Sequence, residues 1–409
     1  MNWTDDVSLE GKIVKKCEKA KPVDVVVGVL CKNVEGTVLN VLNTINEGLN
    51  RYFPEYRKGI VVSKGKSNDR TDEIVDLFYP YIGINKIVTS DIAEGGKGAG
   101  IYTIIEIAHH LDAKAVLLID GDILSVKPEW IQTLLYPILY GRADLTVPYY
   151  IRDKYDGLIT NLLVYPYTRA LYEIDIRQPI AGEFGISKPL YEILRKHPLF
   201  PKDFGVDIFI TTTAAAEGMA LRETLFAQKI HESTTRYLEH EKLLAPMFRQ
   251  VSMSMFELTE YYKDKWMKKK REKRRIIYRE CFGQTPIPVK INIDDLKASF
   301  RREFKERKDI IKKALDVDKI NKLEKIAKND LEFDAEFWAE IVYSFATYYK
   351  KAKDEKEKLV DSLKSLWLGR VSSYAVETRY MDVNEAETVI QKQAEIFENK
   401  INYFLSLYE

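Results

Sequence analysis

The sequence predicts an α/β domain on a mostly parallel sheet, followed by an all-helical C-terminal region. Three observations carry that expectation. Strand, loop and helix patterns alternate through the N-terminal half, and repeated βα units give parallel strands with helices on both faces. Ala115-Val116-Leu117-Leu118-Ile119 is an unbroken apolar run, as expected of a strand buried on both faces, and it ends in Asp120-Gly121-Asp122. Near Met247 the texture changes, and residues 294–409 hold no strand-like run and few Gly or Pro. A chain of 409 residues is too long for one ordinary core. The expected division is an N-terminal extension over 1–20, an α/β domain over 21–247 and a helical domain over 248–409.

Taken in order, Val23 to Leu30 is the first strand, rich in β-branched residues. A loop, Cys31 to Thr37, leads to a helix marked by Val38, Leu39, Val41, Leu42 and Ile45. The unit then repeats. Gly59 to Ser63 is a strand, Lys64-Gly65-Lys66-Ser67-Asn68-Asp69 a loop, and Thr71 to Tyr79 a helix. Ile84 to Val88 is a third strand, followed by Glu94-Gly95-Gly96-Lys97-Gly98-Ala99-Gly100, a helix to His110, and the central strand. A helix over 130–139, a strand over 143–150, further strand segments over 174–187 and 204–212 separated by a helix near 190–196, and a strand over 221–227 complete the domain. Residues 251–281 are strongly charged and helical, and Pro286-Ile287-Pro288 is a break. Lys268 to Arg275 is a basic run that fits a solvated helix face better than a polyanion site.

Composition removes several functions. Lys plus Arg total 63 against 62 Asp plus Glu, a net +1, so affinity resting on neutralised nucleic-acid phosphates is not expected. Cys17, Cys31 and Cys281 are far apart and lack metal-ligand spacing, which fits a reducing cytoplasm. No apolar run approaches the roughly 20 residues of a membrane span, and the start lacks a basic and then apolar leader, so no membrane partner is expected.

Candidate chemistry collects at strand ends, where open α/β sheets bind ligands. Period-two alternation puts Asp120 and Asp122 on one side of the central strand's end, for metal or nucleotide; a solvated turn fits these residues equally well. The Gly95–Gly100 loop has the composition of a phosphate cradle, with free N–H groups expected on the helix behind it, although the P-loop pattern is absent and a surface turn remains open. Gln178-Pro179-Ile180-Ala181-Gly182-Glu183 offers close backbone approach, with Glu183 as an acceptor for sugar hydroxyls. Asp207 is a first-turn helix acid or a site carboxylate. His231 follows a strand that ends on the ligand side, where manganese accepts imidazole beside oxygen ligands.

Together these residues resemble a family of retaining GT-A glycosyltransferases, the mannosylglycerate and glucosylglycerate synthases. Asp120-Gly121-Asp122 looks like their DxD motif and Gly96-Lys97-Gly98 like their Gly-Lys-Gly loop. Gln178 to Glu183 is similar to their Gln-Pro-Leu-Gly/Ala-Gly-Glu segment, Phe204-Gly205-Val206-Asp207 to their aromatic-Gly-Ile/Val-Asp, and Leu366 to Val371 to a tail motif of mannosylglycerate synthase. The resemblance implies a GT-A fold over 21–247. It implies donor contacts by Glu35, Gly65, Lys97, Asp120, Gly121, Ala181, Gly182 and Glu183, and a divalent Mn2+ or Mg2+ on Asp122 and His231. Lys97, Glu183 and Asp207 become the catalytic group, and Arg152, Ile159, Thr160 and Phe204 the acceptor site. Two departures matter. Leu158 stands where glucosyl-3-phosphoglycerate synthases carry an Arg for the acceptor phosphate, and Glu232 and Thr234 replace an Arg and a Tyr of mannosylglycerate synthase.

The expected reaction is therefore transfer of mannose or glucose, with retention, from GDP-mannose, GDP-glucose, ADP-glucose or UDP-glucose to D-glycerate, by a cytoplasmic dimer or tetramer. Glucosyl-3-phosphoglycerate synthesis and non-catalytic nucleotide-sugar binding are the alternatives. The tail, where Trp367 and Arg370 lie one turn apart, is expected to be structural.

Overall fold

The computed structural model describes residues 3–231, 240–269, 285–329 and 332–408. The strands are β1 (Val25–Cys31), β2 (Lys58–Lys64), β3 (Ile84–Ser90), β4 (Ala115–Asp120), β5 (Leu145–Ile151), β6 (Phe184–Ser187) and β7 (Leu221–Gln228). They form one sheet in the order β3-β2-β1-β4-β6-β5-β7. β1 pairs in parallel with β2 and β4, and β2 with β3. This half is the βα-repeat sheet read from the sequence, covered by α1 (Gly11–Ala20), α2 (Val38–Tyr52), α3 (Thr71–Leu77), α4 (Lys97–His110) and α5 (Pro128–Leu139). Val25, Val26, Val27 and Val29 of β1 and all apolar residues of β4 are fully buried. Gly28 interrupts β1 because α4 lies directly on it: a Cβ there would stand 2.4 Å from Ile104 Cγ2.

The other half departs from the parallel pattern. β6 runs antiparallel to both β4 and β5. A crossover helix would return the chain parallel, but the chain leaves β5 and re-enters β6 from the same end of the sheet. The register Leu118↔Phe184 therefore sets Glu183, just ahead of β6, beside the C-terminal end of β4.

Two compact units result: Met1–Tyr150 with Gln178–His240, and Ile151–Arg177 with Glu241–Glu409. The first contains the sheet, α7 (Lys188–Arg195) and α8 (Val206–Ala216), a helix where the sequence reads an extended segment over 204–212, because Asp203 turns the chain by accepting Gly205 N and Val206 N. It also takes in the 1–20 segment, whose Ile13 and Cys17 are buried. In the second, the regular elements among the described residues are helices, apart from Ile151, the last residue of β5. A continuous 21–247 domain had been expected, whereas residues 151–177 fold with the tail. The physical reason is a buried polar and aromatic network. Arg177 Nε and Nη2 each lie 2.9 Å from Glu387 oxygens, Arg169 Nε donates to Glu398 at 2.9 Å, and Trp338 Nε1 donates to Leu162 O at 2.6 Å. Thr160–Val164 is a π-helical turn running into α6 (Tyr165–Tyr172). Trp367 packs on Phe248, and Arg370 is buried with Gln393 and the Phe333 carbonyl as acceptors. Cys281, Glu232, Thr234 and most of the basic run, residues 270–275, lie outside the described residues. Among the described residues no helix is long and apolar enough to cross a membrane.

One charged clamp fastens the lower edge of the sheet. Asp24, buried ahead of β1, accepts Arg57 Nε and Nη2 at 2.9 Å each, with Lys114 Nζ at 3.1 Å. The Arg57 guanidinium, and then Lys114, hold the carboxyl well below its usual range, against a smaller opposing effect of burial. Asp24→Asn keeps the shape and removes the charge. Because Arg57 is half exposed, the expected loss at pH 7 is only about 1 kcal/mol. The native carboxyl titrates below the unfolded value of about 3.9, so this stability is present at neutral pH and lost as pH falls below that value. The gap between the two proteins in urea unfolding should therefore be widest at pH 7, begin to narrow below about pH 4 and keep narrowing to the lowest pH at which the fold survives; a gap that does not change over that range would refute the clamp.

Candidate active site

The site begins with Lys97, in the first turn of α4. Its Nζ lies 3.1 Å from Asp120 at the end of β4, 3.2 Å from Asp207 Oδ2 in the first turn of α8, and 3.4 Å from the Gly182 carbonyl. A second cation, Lys229 Nζ just past β7, sits 2.9 Å from both Glu183 oxygens, 3.0 Å from the Ala181 carbonyl and 3.9 Å from Asp120 Oδ2. Tyr150, near the end of β5, donates its hydroxyl to Glu183 Oε2 at 2.7 Å, and its ring faces Lys229. Two ammonium groups thus hold three carboxylates, of which Glu183 and Asp207 are buried and Asp120 is partly exposed.

Backbone geometry makes this approach possible. Gly182 has φ +100°, and a Cβ there would stand 2.9 Å from Asp120 Oδ2 and 3.0 Å from Lys229 Nζ. Gln178 clasps the backbone of Tyr150 through its side-chain amide, and Thr211 Oγ1 donates to Pro179 O at 2.7 Å. The 178–183 segment is thereby tied to β5 and α8. Gly121 N donates to Leu30 O, and Thr37 Oγ1 donates to Gly121 O at 2.8 Å, which pins the acidic turn to the end of β1.

Burial and charge oppose each other here. Burial alone would lower the Lys97 ammonium, but Asp120, Asp207 and Glu183 together hold it above its ordinary value. Burial would raise Asp120, and Lys97 and Lys229 outweigh it, so that carboxyl titrates low. For Glu183 and Asp207 burial wins and both are pushed up, despite Lys229 and Lys97 respectively. Asp207 Oδ1 is buried with no hydrogen-bond partner in the protein, an acceptor left for a ligand donor.

Asp122 and His231 come together through a different route. An isolated bridge joins Ile123 to His231, Leu124 N donates to Ile230 O at 2.8 Å, and Nδ1 of His231 lies 3.8 Å from Asp122 Oδ2. Both side chains are partly exposed. Among the described residues no group of three or more His, Cys, Asp and Glu could hold a metal ion. The pair offers one oxygen and one nitrogen donor, types that a divalent cation accepts beside water or phosphate oxygens.

The other expected residues are distributed differently. Glu35 sits in the exposed first loop, where its carboxylate accepts Arg70 N at 2.9 Å and its N–H donates to Asp69. Gly65 lies against Lys32, with Asp91 alongside. Phe204 is exposed just ahead of α8. Arg152, Ile159 and Thr160 belong to the second unit. There the Arg152 guanidinium and Thr160 hydroxyl flank Gly157, at 3.3 and 3.9 Å from the position of a Cβ, while the Ile159 side chain is buried.

The Gly95–Gly100 loop does not form a phosphate cradle. The N–H groups of Gly96 and Ala99 both donate to Lys202 O, at 2.8 and 3.0 Å, and a Cβ on Gly98 would stand 2.0 Å from Pro201 O. These glycines admit a neighbouring backbone rather than a ligand. Sequence reasoning missed Lys229 and Tyr150. The available signal was position alone, since both lie at the ligand-side ends of predicted strands.

Residues 26–184 match the model of glycosyl transferase family 2. The chain carries a glycosyltransferase domain. Asp120, Gly182 and Glu183 all fall near the end of that match or inside it, whereas Asp207, Lys229 and His231 lie beyond it. No curated protein matches the chain. Among solved structures the chain is similar to glucosyl-3-phosphoglycerate synthase from Mycobacterium tuberculosis in complex with Mn2+, UDP and glucosyl-3-phosphoglycerate, at 22% identity over 61% of this chain and 85% of that one, TM-score 0.46. It is similar to the same enzyme with Mg2+ and UDP, at 22% identity over 60% and 83%, TM-score 0.47. It is also similar to a mycobacterial protein at 20% identity over 63% and 80%, TM-score 0.47.

Lys97→Met leaves Glu183 its bonds to Lys229 and Asp120 the 3.9 Å approach of the same lysine, and it removes the ammonium bonded to Asp207. Removing one partner of a buried ion cluster costs about 3–5 kcal/mol. Asp207 and Glu183, already raised, rise further, and a carboxyl with a raised native pKa favours the fold at low pH and opposes it as pH increases. The stability gap to the native protein should thus be widest near pH 8 and narrow toward pH 5. A gap that does not change with pH would overturn this account of the cluster.

Proposed function

We propose that the glycosyltransferase domain moves a hexose, mannose or glucose, with retention, from a nucleoside diphosphate sugar to D-glycerate. The observation that carries the reading is the Lys97–Asp120–Asp207–Glu183–Lys229 cluster beside the Asp122–His231 pair, in a domain of this family. When bound by Asp122 and His231, Mn2+ or Mg2+ would supply positive charge against the leaving diphosphate. Lys97 and Lys229 would add fixed ammonium charge in a partly dry site. Asp207 Oδ1 and Glu183 would accept from sugar hydroxyls and orient the ring; Glu35, Gly65, Gly121 and Ala181 would hold the donor's remaining parts. Every cluster carboxylate has an ammonium within hydrogen-bond distance, so none is presented as a bare nucleophile. Attack from the leaving-group face therefore suits the site, with a diphosphate oxygen taking the acceptor proton.

The acceptor reading rests on the second unit. Arg152 can bind both oxygens of a carboxylate, and Thr160 can donate to it, with Ile159 beside them in the same unit. Holding a phosphate as well would require a further cation. Leu158 supplies none. Lys154 Nζ donates to the carbonyls of Thr378 and Met381 at 2.7 Å each, closing the end of the helix Lys356–Glu377. Arg177 is paired with Glu387 and Asn161. The engagement of both neighbours favours free glycerate over 3-phosphoglycerate. The contrary readings are phosphoglycerate as acceptor and binding without transfer.

The first test pairs GDP-mannose, GDP-glucose, ADP-glucose and UDP-glucose with D-glycerate and Mn2+, reading disaccharide-like product by mass. Product from at least one donor is expected, and nucleotide binding with none from any would favour the non-catalytic reading. EDTA, Asp122→Ala and His231→Ala should each abolish turnover while circular dichroism stays native; full turnover in EDTA sinks the metal assignment. Arg152→Ala should raise the glycerate KM roughly tenfold to a hundredfold, from a charge-assisted bond of about 1.5–3 kcal/mol, with donor KM nearly unchanged. A native preference for 3-phosphoglycerate would refute the acceptor assignment.

A further inference from the structure

We infer that the N-terminal segment Trp3–Asp6 is a clamp that sets the distance between Lys97 and Asp207, with Trp3 as its positioning residue. The inference rests on the glycosyltransferase reading of the cluster, and on contacts within the first unit alone. Lys97 and Asp207 sit on two helices that share no sequence neighbour. They are joined by the four-residue stretch 200–203. Lys202 O receives the N–H groups of Gly96 and Ala99, which fixes the first turn of α4 on either side of Lys97. Asp203 O receives Val206 N at 3.2 Å, and Asp203 Oδ1 receives Gly205 N at 2.9 Å, which fixes the start of α8 just ahead of Asp207. The Phe200 ring packs on Tyr102 of α4 at 5.1 Å and on Phe209 of α8 at 4.9 Å.

Trp3 closes over this stretch. Its Nε1 donates to Phe200 O at 2.6 Å, its ring meets Tyr102 at 5.0 Å, and Lys202 Nζ lies 4.9 Å from the ring centroid. Thr4 is buried beside it, hydrogen-bonded to the Tyr102 hydroxyl. One indole therefore touches the stretch at its first and third residues and touches α4 as well. The backbone bonds hold the stretch to each helix through a single residue, Lys202 to α4 and Asp203 to α8, which leaves it room to shift by tenths of an ångström; the indole's bond to Phe200 O and its ring face on Lys202 remove that freedom. A shift of that size changes how two buried charges face a common ligand. Trp3 touches neither Lys97 nor Asp207 and acts through the 200–203 backbone.

Two variants and two measurements test the clamp. Trp3→Phe keeps a ring for Tyr102 and Lys202 and loses the N–H; Trp3→Ala loses both. Hydrogen exchange of the ligand-free protein reads the geometry without any assumption about function. Exchange at residues 96–101 and 203–209 should quicken by about tenfold or more in Trp3→Ala, less in Trp3→Phe, with β1 and β4 unchanged. Calorimetric titration with UDP and with GDP, each with Mn2+, reads the consequence: the affinity of whichever nucleotide the native protein binds should fall about tenfold in Trp3→Ala, with Trp3→Phe between, and the glycerate KM should not move. Should Trp3→Ala fail to fold, Trp3→Phe decides alone. Native exchange at both segments, or exchange quickened over the whole first unit, overturns the clamp. If the native protein binds neither nucleotide while the two segments still loosen, the clamp stands and the proposed function falls.

Discussion

The structure of the site depends on one buried cation. Lys97 reaches Asp120 and Asp207 as the first residue of α4, so its position is set by whatever holds that helix terminus. A helix N-terminus in this fold is ordinarily the place where anion-binding N–H groups are free. Here the Lys202 carbonyl has taken two of them. The positive charge offered to a ligand is thus carried by side chains, Lys97 and Lys229, and not by the backbone. Ammonium groups already paired with carboxylates are poor at capturing a free phosphate but well placed to respond when charge builds up nearby. That is the behaviour needed of a group that stabilises a leaving diphosphate in preference to a bound one.

The antiparallel β6 is the second constraint. Had the chain crossed over by a helix, Glu183 and Gly182 would have arrived at the far end of the sheet from Asp120. Re-entry at the ligand end places them against Asp120 with no connecting helix, and the positive φ of Gly182 lets the backbone close to contact distance. The excursion that makes this possible, residues 151–177, is anchored by Arg169, Arg177 and Trp338 within the helical unit. The two units are consequently interleaved in sequence, and the stability of the excursion and the placement of Glu183 draw on one continuous piece of chain.

Much of this was legible beforehand because the signals were repeated. The βα periodicity gave β1 to β4, and an apolar run ending in two acids gave the centre of the site. Lys97, Gly182, Glu183 and Asp207 stood in short segments of unusual composition, and they do converge. The rest lacked a local signature. Lys229 is a single lysine in a lysine-rich chain, and Tyr150 one of 25 tyrosines, so only their positions at strand ends distinguish them. The Gly95–Gly100 loop misled because glycine permits close approach without naming what approaches; a ligand and the Pro201–Lys202 backbone demand the same residue. The direction of β6 was hidden because four residues of strand look alike in either sense, and direction is fixed by the path of the chain between strands.

Charge gives the last step. Asp120, Asp207 and Glu183 face Lys97 and Lys229, three acids against two bases, with Asp122 next to them in sequence and paired with His231. A diphosphate entering this site alone would meet an excess of negative charge, since burial has raised Glu183 and Asp207 but Asp120 is held ionised. On the proposed reading, a divalent cation held by Asp122 and His231 would remove the excess, at an edge where both side chains are partly open. The cluster would then favour nucleotide together with cation over nucleotide alone. The same excess argues against a site meant simply to store a nucleotide sugar, because tight binding would be better served by uncompensated bases than by two lysines each already facing carboxylates.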